Sequence, residues 1–549
     1  MDRSIRLASL LGLVVAVGCN GSTEDTDTDS ATATESSNTD ATTGKSTGTD
    51  GTSGTDGSGS TGTGAEFVPI PARDIVLERV QANQAVGVDI AKDGYWVEGK
   101  DRSSYLLQDR LMLLRGFWKV SANWQPRKIR AHLTVTYPDG TVHEDDQVVM
   151  IEEDSFEGDL KRTFYFGLMP EQVVPGIDFE MSLWETAPGY EGTDEPNPAP
   201  VIPLDGPGLV GVENSDQMME VVLVPFNYNF GDCQTTPDTS EKTMQLFYDY
   251  MYMQDPVDRL TIHMHDPVDW NTELTNFNQL NEFMSGMRFD EGAGPHVFYY
   301  GLIDACSGGV GGAGGKAYGI PNIPPEQGQA YQRVSSGLSL SNNVEWSAET
   351  FVHEVGHSLG RAHINCGGAA GYDPTYPFPS GEVGEWGFGV IDYGMRHPTV
   401  NKDYMTYCHP TWVGNWAWSK LYPVIKTLTQ WSYEAPPAPG DDIYGGSLLV
   451  GSVYEDGHST WITVPGSILD DDELSATDSI ELMAGGDVVA SQRAKVQYLP
   501  DNDIKQVVIE LPENFEAVTD FRHVAGDEAK TIAIDEVSMH HQSRAIRTK

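Results

Sequence analysis

The sequence predicts a multidomain protein in which a central α/β domain is flanked by N-terminal and C-terminal β-sandwich-like domains. Its 549 residues exceed what one hydrophobic core usually serves, so several domains are expected. In the middle of the chain, apolar runs alternate with patterns of helical spacing, which is typical of a sheet covered by helices. The apolar runs lie at 221–224, 260–264, 297–303 and 330–338, and the helical patterns at 241–252 and 273–287.

The two flanking regions instead contain short runs in which apolar and polar residues alternate. Examples are 110–115 and 129–136 before the centre, and 459–464 and 506–511 after it. Turn sequences such as Pro138-Asp139-Gly140 bound these runs. Alternation with a period of two, interrupted by turns, predicts β-strands that are buried on one face.

Two connectors rich in Pro and Gly, at 187–208 and 434–440, separate these regions. The expected organisation is an N-terminal β domain at 65–208, a central domain at 209–433 and a C-terminal β domain at 441–549.

The first 19 residues have the pattern of a signal peptide. Arg3 and Arg6 precede an apolar stretch at 7–17 that is too short to cross a bilayer. The sequence Ala16-Val17-Gly18-Cys19 resembles a bacterial lipobox, which implies that Cys19 is the lipidated first residue of the mature protein. A buried N-terminal helix is the alternative interpretation. The lipobox favours a lipid-anchored protein of the bacterial cell envelope, at the outer membrane or cell surface, or one released extracellularly.

Residues 20–64 are almost entirely Ser, Thr, Gly and Asp, and contain no aromatic residue. Such a composition cannot bury enough surface to fold, so this segment is predicted to be a disordered tether.

The formal net charge of −47 excludes nucleic acid and anionic lipid surfaces as partners, because both would be repelled. Membrane contact is therefore expected only through the lipid anchor on Cys19. The acidity is compatible with bound Ca²⁺, and we expect a monomer.

A metal site is predicted within residues 351–363. Ser347 is a candidate helix cap, and an apolar stripe runs along the following helix. His353 and His357, four residues apart, share another face, where two imidazoles can bind one Zn²⁺ ion. Glu354 lies beside the first ligand, where it can act as the base for a zinc-activated water. The stripe comprises Ala348, Val352, Val355 and Leu359.

Gly360 is expected to end this helix in a left-handed turn that brings His363 to the metal as third ligand. Three protein ligands leave a position for water, as in catalytic rather than structural zinc sites. A helix with merely exposed histidines is the alternative. Four other histidines are assigned to structure or surface: His263, His265, His540 and His541.

The pattern HExxHxxGxxH at 353–363, followed by Asp403-Tyr-Met-Thr-Tyr-Cys408, resembles the metzincin zinc peptidases and their Met-turn. The resemblance covers about 216–431. It implies that Met405 forms a hydrophobic floor beneath the metal. Tyr407 matches the position of a tyrosine that stabilises the reaction intermediate in astacins and serralysins, although a packed aromatic residue is an equal alternative. Residues 315–319 are similar to the metzincin edge strand that pairs with substrate backbone.

Within this clan, the preceding β domain and the insert at 366–389 most resemble a group of bacterial secreted proteases that includes mucin-degrading enzymes. The resemblance implies a zinc-dependent endopeptidase that cleaves extracellular proteins or glycoproteins. The alternatives are a surface binding lipoprotein with an inactive metzincin fold, and a zinc hydrolase of a non-peptide substrate. Three aromatic residues of the insert form either a wall of the substrate site or loop packing: Tyr376, Phe378 and Trp386.

Four cysteines remain after Cys19, an even number that predicts two disulfides in an exported chain. A thiolate metal site is disfavoured because no C-x-x-C pair exists. Sequence alone permits three pairings. We favour Cys366 with Cys408, since each lies three residues beyond a predicted site residue, which leaves Cys233 with Cys306.

Overall fold

The computed structural model describes residues 67–192, 194–306, 309–434, 442–468, 474–499, 503–512 and 515–540. The predicted signal peptide with Cys19 and the tether at 20–64 lie outside the described residues. From Pro69 onward, the described residues belong to one compact unit. This unit is β-rich, with several sheets and four α-helices in its described part. The predicted domain boundaries stay predictions.

The N-terminal region contains two antiparallel sheets and a short strand that pairs elsewhere. Its strands are β1 Ile75–Asn83, β2 Gly87–Lys92, β3 Tyr95–Trp96, β4 Leu106–Leu107, β5 Met112–Val120, β6 Arg127–Thr136, β7 Val142–Ile151, β8 Phe164–Leu168, β9 Asp178–Glu185, β10 Val201–Ile202 and β11 Gly208–Leu209.

One sheet has the order β3-β2-β1-β5-β8, and the other has the order β10-β9-β6-β7, with β11 also paired to β9. In β6, Ile129, Leu133 and Val135 are buried while their neighbours are partly exposed, which follows the alternation in the sequence. The two inner faces meet where Gly116 of β5 lies directly against Met181 of β9. The N-terminal region is therefore a two-sheet sandwich.

The central region is a mixed sheet with helices on both faces. Its strands are β12 Val212–Glu213, β13 Met218–Phe230, β14 Cys233–Thr235, β15 Arg259–Met264, β16 Val268–Trp270, β17 Phe298–Ile303, β18 Gly315–Ala317 and β19 Val334–Leu338. The helices are α1 Glu241–Gln254, α2 Asn278–Asp290, α3 Val344–Ser358 and α4 Asn415–Tyr433.

In this sheet β15, β13, β17 and β19 run parallel, and β18 pairs antiparallel with β19. The small strand β12 instead pairs with β4 of the N-terminal region. Tyr300 in β17 packs with Phe351 of α3, and Tyr299 beside it contributes to the core on the opposite face. Helices α1, α3 and α4 thus share one core, and α2 belongs to the other.

Two central elements differ from their predicted extent. The candidate strand at 330–338 is shorter than expected, because Gln327–Gln332 form a 3₁₀ helix ahead of β19. Helix α2 begins at Asn278 rather than 273, after a turn in which the Gln279 side chain accepts hydrogen bonds from the backbone N–H groups of Thr275 and Asn276. These hydrogen bonds hold the backbone in a turn before Asn278, so the helix cannot begin earlier.

The remaining strands include four short ones near α3 and eight that form the C-terminal sheet. They are β20 Gly387–Phe388, β21 Met395–Arg396, β22 Lys402–Asp403, β23 Thr411–Trp412, β24 Ser447–Tyr454, β25 Ser459–Pro465, β26 Leu474–Ala484, β27 Asp487–Tyr498, β28 Ile504–Glu510, β29 Asp520–Ala525, β30 Glu528–Ala533 and β31 Ser538–Met539.

The C-terminal region is built mainly of β-strands, as predicted, but its sandwich-like packing comes from a single sheet. Its strands form one continuous sheet in the order β30-β29-β26-β27-β28-β24-β25-β31. This sheet curls so that Trp461 of β25 packs against Phe521 of β29, with ring centroids 4.8 Å apart. Its other face is covered by the central region, where Thr460 donates a 2.6 Å hydrogen bond to Glu282 of α2. Curling and this contact bury both faces of β24, β25 and β28, whereas β27 and β30 stay largely exposed.

Among the helices of the described residues, none is long and apolar enough to span a membrane.

Candidate metal centre

Helix α3 carries the predicted site and is capped by Asn343, whose side chain accepts a hydrogen bond from the N–H of Trp346. The prediction of Ser347 as the cap was wrong. Ser347 lies inside the first turn, and its hydroxyl accepts from the N–H of Leu340, 2.9 Å away. The predicted apolar stripe is buried in the core. The histidines lie on another face of α3, which points away from this part of the core.

His353, His357 and His363 come together as predicted, with one ligand nitrogen of each within 4.8 Å of the others. All three side chains are buried. Among the described residues, this is the only group of three or more His, Cys, Asp or Glu side chains close enough to hold a metal ion. Calcium therefore stays a prediction without a located site.

A backbone carbonyl orients each of the three rings. Nδ1 of His353, His357 and His363 lies 2.7 Å from the carbonyl oxygens of Tyr404, Arg361 and Ala370, respectively. A carbonyl oxygen only accepts, so each Nδ1 carries a proton, and in the neutral form of each ring Nε2 presents a lone pair. This arrangement is typical of metal-binding histidines, whose second nitrogen is held by a hydrogen bond.

The ring nitrogens face one another at close range, with Nε2 of His357 3.1 Å from Nε2 of His363. Burial, followed by the charges of His363 and His353, lowers the pKa of His357 well below its ordinary value. The His357 ring is therefore neutral, and its Nε2 lone pair faces the ring of His363. Three imidazole nitrogens that converge in this way are a donor set that fits Zn²⁺.

Gly360 has φ +91°, the left-handed conformation expected of it. Helix α3 ends at Ser358, and the N–H groups of Gly360 and Arg361 donate to the carbonyls of His357 and Gly356. The resulting turn returns the chain so that His363 faces the two helical histidines. A Cβ at Gly360 would lie 2.8 Å from the carbonyl oxygen of Pro321, so a side chain is also excluded by contact.

Met405 is completely buried and lies against α3 at Gly356. Its Sδ would be 2.6 Å from a Cβ on Gly356. Gly356 therefore provides the space that Met405 fills. The sequence singled out Met405 only by resemblance. Gly356 was missed, although a glycine in the interior of a predicted helix is itself a signal of a close approach by another segment.

Glu354 and Tyr407 both lie at the histidine cluster. Glu354 follows the first histidine on α3, and a Cβ on Gly315 of β18 would come within 2.9 Å of its Oε1. Tyr407 is 42% exposed, and its Oη lies 3.1 Å from Nε2 of His363. The predicted carboxylate and phenol are thus on the accessible side of the three rings.

These groups line an open cleft of about 510 Å³. Glycines 311–315 and Lys316 form one wall, and residues 404–411 contribute to the other. The C-terminal sheet reaches the cleft through Asp503, which forms an ion pair with Lys316. The edge strand β18 therefore runs along a cleft that contains His353 and Glu354.

The predicted disulfide pairing is confirmed. Cys233 pairs with Cys306, and Cys366 pairs with Cys408. The second bridge joins the segment after His363 to the segment after Met405, and the N–H of Tyr407 donates to the carbonyl of Cys366 over 3.2 Å. The bridge thus holds the backbone beside the histidine cluster.

The aromatic residues of the insert pack against their surroundings and are not among the cleft residues. Tyr376 contacts Phe378 and Trp416, and its hydroxyl donates to the carbonyl of Glu382. Trp386 contacts His397 and Phe156 of the N-terminal region. Of the two interpretations of this insert, the structure favours loop packing.

The histidines assigned to structure or surface lie away from the cluster. His263 is 2.9 Å from Glu220, His265 is 2.8 Å from Glu291, and His540 is 3.4 Å from Asp290. His541 lies outside the described residues.

No protein-family profile matches this sequence. No curated protein matches it either. One similar solved structure is a calcium-binding mutant of Bacteroides uniformis β-glucuronidase 2, with 10% sequence identity and a TM-score of 0.14. The alignment covers 85% of this chain and 62% of that chain. A similarity this low carries no argument about fold or activity.

Proposed function

We propose that this chain is a zinc-dependent endopeptidase of the metzincin type, lipid-anchored at the outside of a bacterial cell, that cleaves extracellular proteins or glycoproteins. The observation that carries the proposal is the arrangement of the three histidines. Each is oriented by a carbonyl at Nδ1, and their ring nitrogens converge beside an open cleft that His353 and Glu354 line.

His353, His357 and His363 would hold the zinc ion. When bound, zinc lowers the pKa of water and polarises a carbonyl oxygen. The absence of a fourth protein ligand within the His, Cys, Asp and Glu cluster of the described residues supports a catalytic rather than a purely structural site.

Glu354 is suited to move protons at this site. It is adjacent in sequence to His353 but lies on the cleft side of α3, facing Gly315. A carboxylate there can accept a proton from attacking water and deliver it to the nitrogen of the leaving amine. Tyr407, with its hydroxyl beside His363, is placed to donate a hydrogen bond to an oxygen that gains negative charge.

The edge strand favours a peptide substrate over a non-peptide one. In the described part of the chain, β18 pairs only with β19, and its residues Gly315 and Lys316 line the cleft. An unpaired strand edge offers N–H and C=O groups that can bind the backbone of an extended peptide.

The assignment of the central domain to the metzincin type rests on the region around β18 and α3. A mainly parallel sheet with one antiparallel edge strand, the helix α3, the glycine turn and the buried Met405 together support a metzincin-type catalytic core. The two disulfides support an exported protein, since such bonds persist in oxidising compartments. The lipobox ending at Cys19 supports the anchor.

The test is to purify the mature chain, residues 19–549, as wild type, as Glu354→Gln and as the control Glu345→Gln. Glu345 is an exposed acid on the same helix that does not line the cleft. We expect all three to bind zinc, and Glu354→Gln to lose roughly 10²- to 10⁴-fold in protein cleavage. The control should cleave like wild type.

Full cleavage by Glu354→Gln would contradict the role of this residue. Zinc binding without cleavage of any protein would favour a surface binding lipoprotein. Hydrolysis restricted to small non-peptide substrates would favour a different zinc hydrolase.

A further inference from the structure

A second cavity, of about 370 Å³, adjoins the cleft. Glu349 and Thr411 line both spaces, so the two meet at these residues. The second cavity extends from there between α1 and the segment around 392–396. It lies beside the histidine cluster, because Glu349 is one helical turn before His353 on α3.

Glu349 brings a carboxylate to the entrance of this cavity. Its Oε2 lies 3.0 Å from Nδ1 of His409, and its Oε1 accepts a hydrogen bond from the Thr411 hydroxyl at 3.3 Å. Its side chain is only 22% exposed. Histidine carries a full positive charge only when protonated, so Glu349 lacks the permanent cation that usually accompanies a carboxylate of this burial.

Deeper in the cavity, Gln254 contributes an unsatisfied acceptor. The residue is 2% exposed, and its Oε1 has no hydrogen-bond partner among the described residues. Its Nε2 donates to the carbonyl of Tyr250, 3.3 Å away. A buried oxygen that accepts no hydrogen bond has lost its hydration without compensation, which is unfavourable. A hydrogen bond from a ligand N–H group would offset this cost.

The charges around the cavity leave it negative. Asp392 is paired with Arg396, so these two largely cancel. Burial raises the pKa of Tyr250 to about 12; the negative charges of Glu349, Glu345 and Asp392 add to this rise, and the positive charge of Arg396 opposes it. The carboxylate of Glu349 and the oxygen of Gln254 thus remain as acceptors for a cationic donor.

We propose that this cavity binds an arginine or lysine side chain of the substrate next to the cleaved bond, with Glu349 as the specificity-determining residue and Gln254 as the second acceptor. This inference rests on the proposed function. A basic side chain fits the chemistry of the cavity along its whole length. Its alkyl stem can lie on apolar surface from Met253, Met395 and Trp412, while its N–H groups reach the two acceptors.

The test uses fluorogenic peptides that differ at one position only. A library with every residue at the positions flanking the cleaved bond first identifies the preferred position in the wild-type chain. Peptides with arginine or with the neutral isostere citrulline at that position are then compared. We expect arginine to raise kcat/KM by about tenfold or more over citrulline.

Glu349→Gln should lower kcat/KM for the arginine peptide to that of the citrulline peptide, which itself should change little. Glu349→Asp keeps the charge and should retain part of the preference. Glu345→Gln removes an exposed carboxylate that does not line the cavity, and it should retain most of the preference. Zinc content and Tm are measured for every variant. If Glu349→Gln fails to fold, the specificity inference is tested by Glu349→Asp and by the comparison of the two peptides in the wild type.

Cleavage without preference for a basic residue, or an arginine preference that survives in Glu349→Gln, would overturn the specificity inference and leave the peptidase intact. Absence of cleavage by a zinc-loaded wild-type chain would instead remove the proposed function and this inference with it.

Discussion

Arg361 and Asp403 form an ion pair inside the protein, with Nη2 of Arg361 3.2 Å from Oδ1 and 3.3 Å from Oδ2 of Asp403. Their side chains are 2% and 0% exposed. The carbonyl of Arg361 accepts the hydrogen bond from His357, and Oδ1 of Asp403 accepts one from the N–H of Met405, 2.9 Å away. The pair therefore joins the segment that orients a histidine to the turn that contains Met405.

Replacing Arg361 by Ala should lower the free energy of unfolding by about 3–5 kcal/mol, because it leaves the carboxylate of Asp403 buried without a counter-charge. The matched control is Arg162→Ala, which breaks an ion pair with Glu153 whose two side chains are 39% and 71% exposed. The control should cost about 0–1 kcal/mol. Urea denaturation of both variants with the same zinc content measures the difference, and equal losses would contradict the structural role of the buried pair.

Gly360→Ala should weaken zinc binding and lower stability together. The substitution forces a Cβ into the left-handed region and toward the carbonyl of Pro321, at a cost of about 1 kcal/mol or more. Gly140 has a similar φ of +84° but open space around it, in the hairpin between β6 and β7. Gly140→Ala should therefore lose stability without any change in zinc affinity, as measured by competition with a chromogenic chelator. A zinc affinity unchanged in Gly360→Ala would show that His363 does not depend on this turn.

The two disulfides should stabilise the fold to a similar extent, but only the bridge between Cys366 and Cys408 should also affect cleavage. They close loops with sequence separations of 73 and 42 residues, which corresponds to about 4 kcal/mol each in the chain-entropy description. The double replacement Cys366→Ser with Cys408→Ser should also reduce cleavage, because this bridge holds the backbone of Tyr407. The pair Cys233→Ser with Cys306→Ser is the matched control. Equal activity per folded, zinc-loaded molecule in both variants would contradict this distinction.

Tyr407→Phe should lower kcat by about 10- to 100-fold with little change in KM or zinc affinity, because the hydroxyl is expected to act on charge that develops during the reaction. Tyr372→Phe serves as control, since Tyr372 is an exposed tyrosine of the neighbouring loop outside the cleft residues. Steady-state kinetics with one peptide substrate measures both. A normal kcat in Tyr407→Phe would leave Tyr407 with a packing role.

Asp255 should make stability depend on pH. Burial raises the pKa of its carboxyl from 3.8 to about 7, against the opposing hydrogen bond from Tyr404 and the charges of Arg361 and Arg110. The folded state thus holds the proton more tightly than the unfolded state. The protonated Asp255 carboxyl makes its full contribution to the free energy of unfolding below about pH 4. This contribution is lost as the pH rises through about 7.

Asp255→Asn cannot ionise, so the wild type should lose a few kcal/mol relative to this variant between pH 4 and pH 8. Urea denaturation across this range, with equal metal content in both proteins, measures the difference. Parallel stability curves would show that Asp255 does not titrate in this interval.

Much of the candidate site could be predicted because its signals are local. The spacing of His353 and His357 follows from the period of a helix, and Gly360 from a backbone conformation that other residues adopt poorly. The alternation in β6 similarly predicted a half-buried strand. Ser347 shows the limit of such reasoning, since the cap is Asn343, and the choice between two polar residues depends on where packing lets the helix begin.

The sequence by itself determined the three histidines, the adjacent Glu354, the left-handed turn and a β-rich chain, because each depends on residues close together along the chain. Only the tertiary structure decided that Arg361 meets Asp403, that Met405 fills the space at Gly356, and that the C-terminal region is one curled sheet. It also decided that Gln254 and Glu349 share a cavity. These contacts join distant segments, and their formation depends on how helices and sheets pack, which local spacing does not encode.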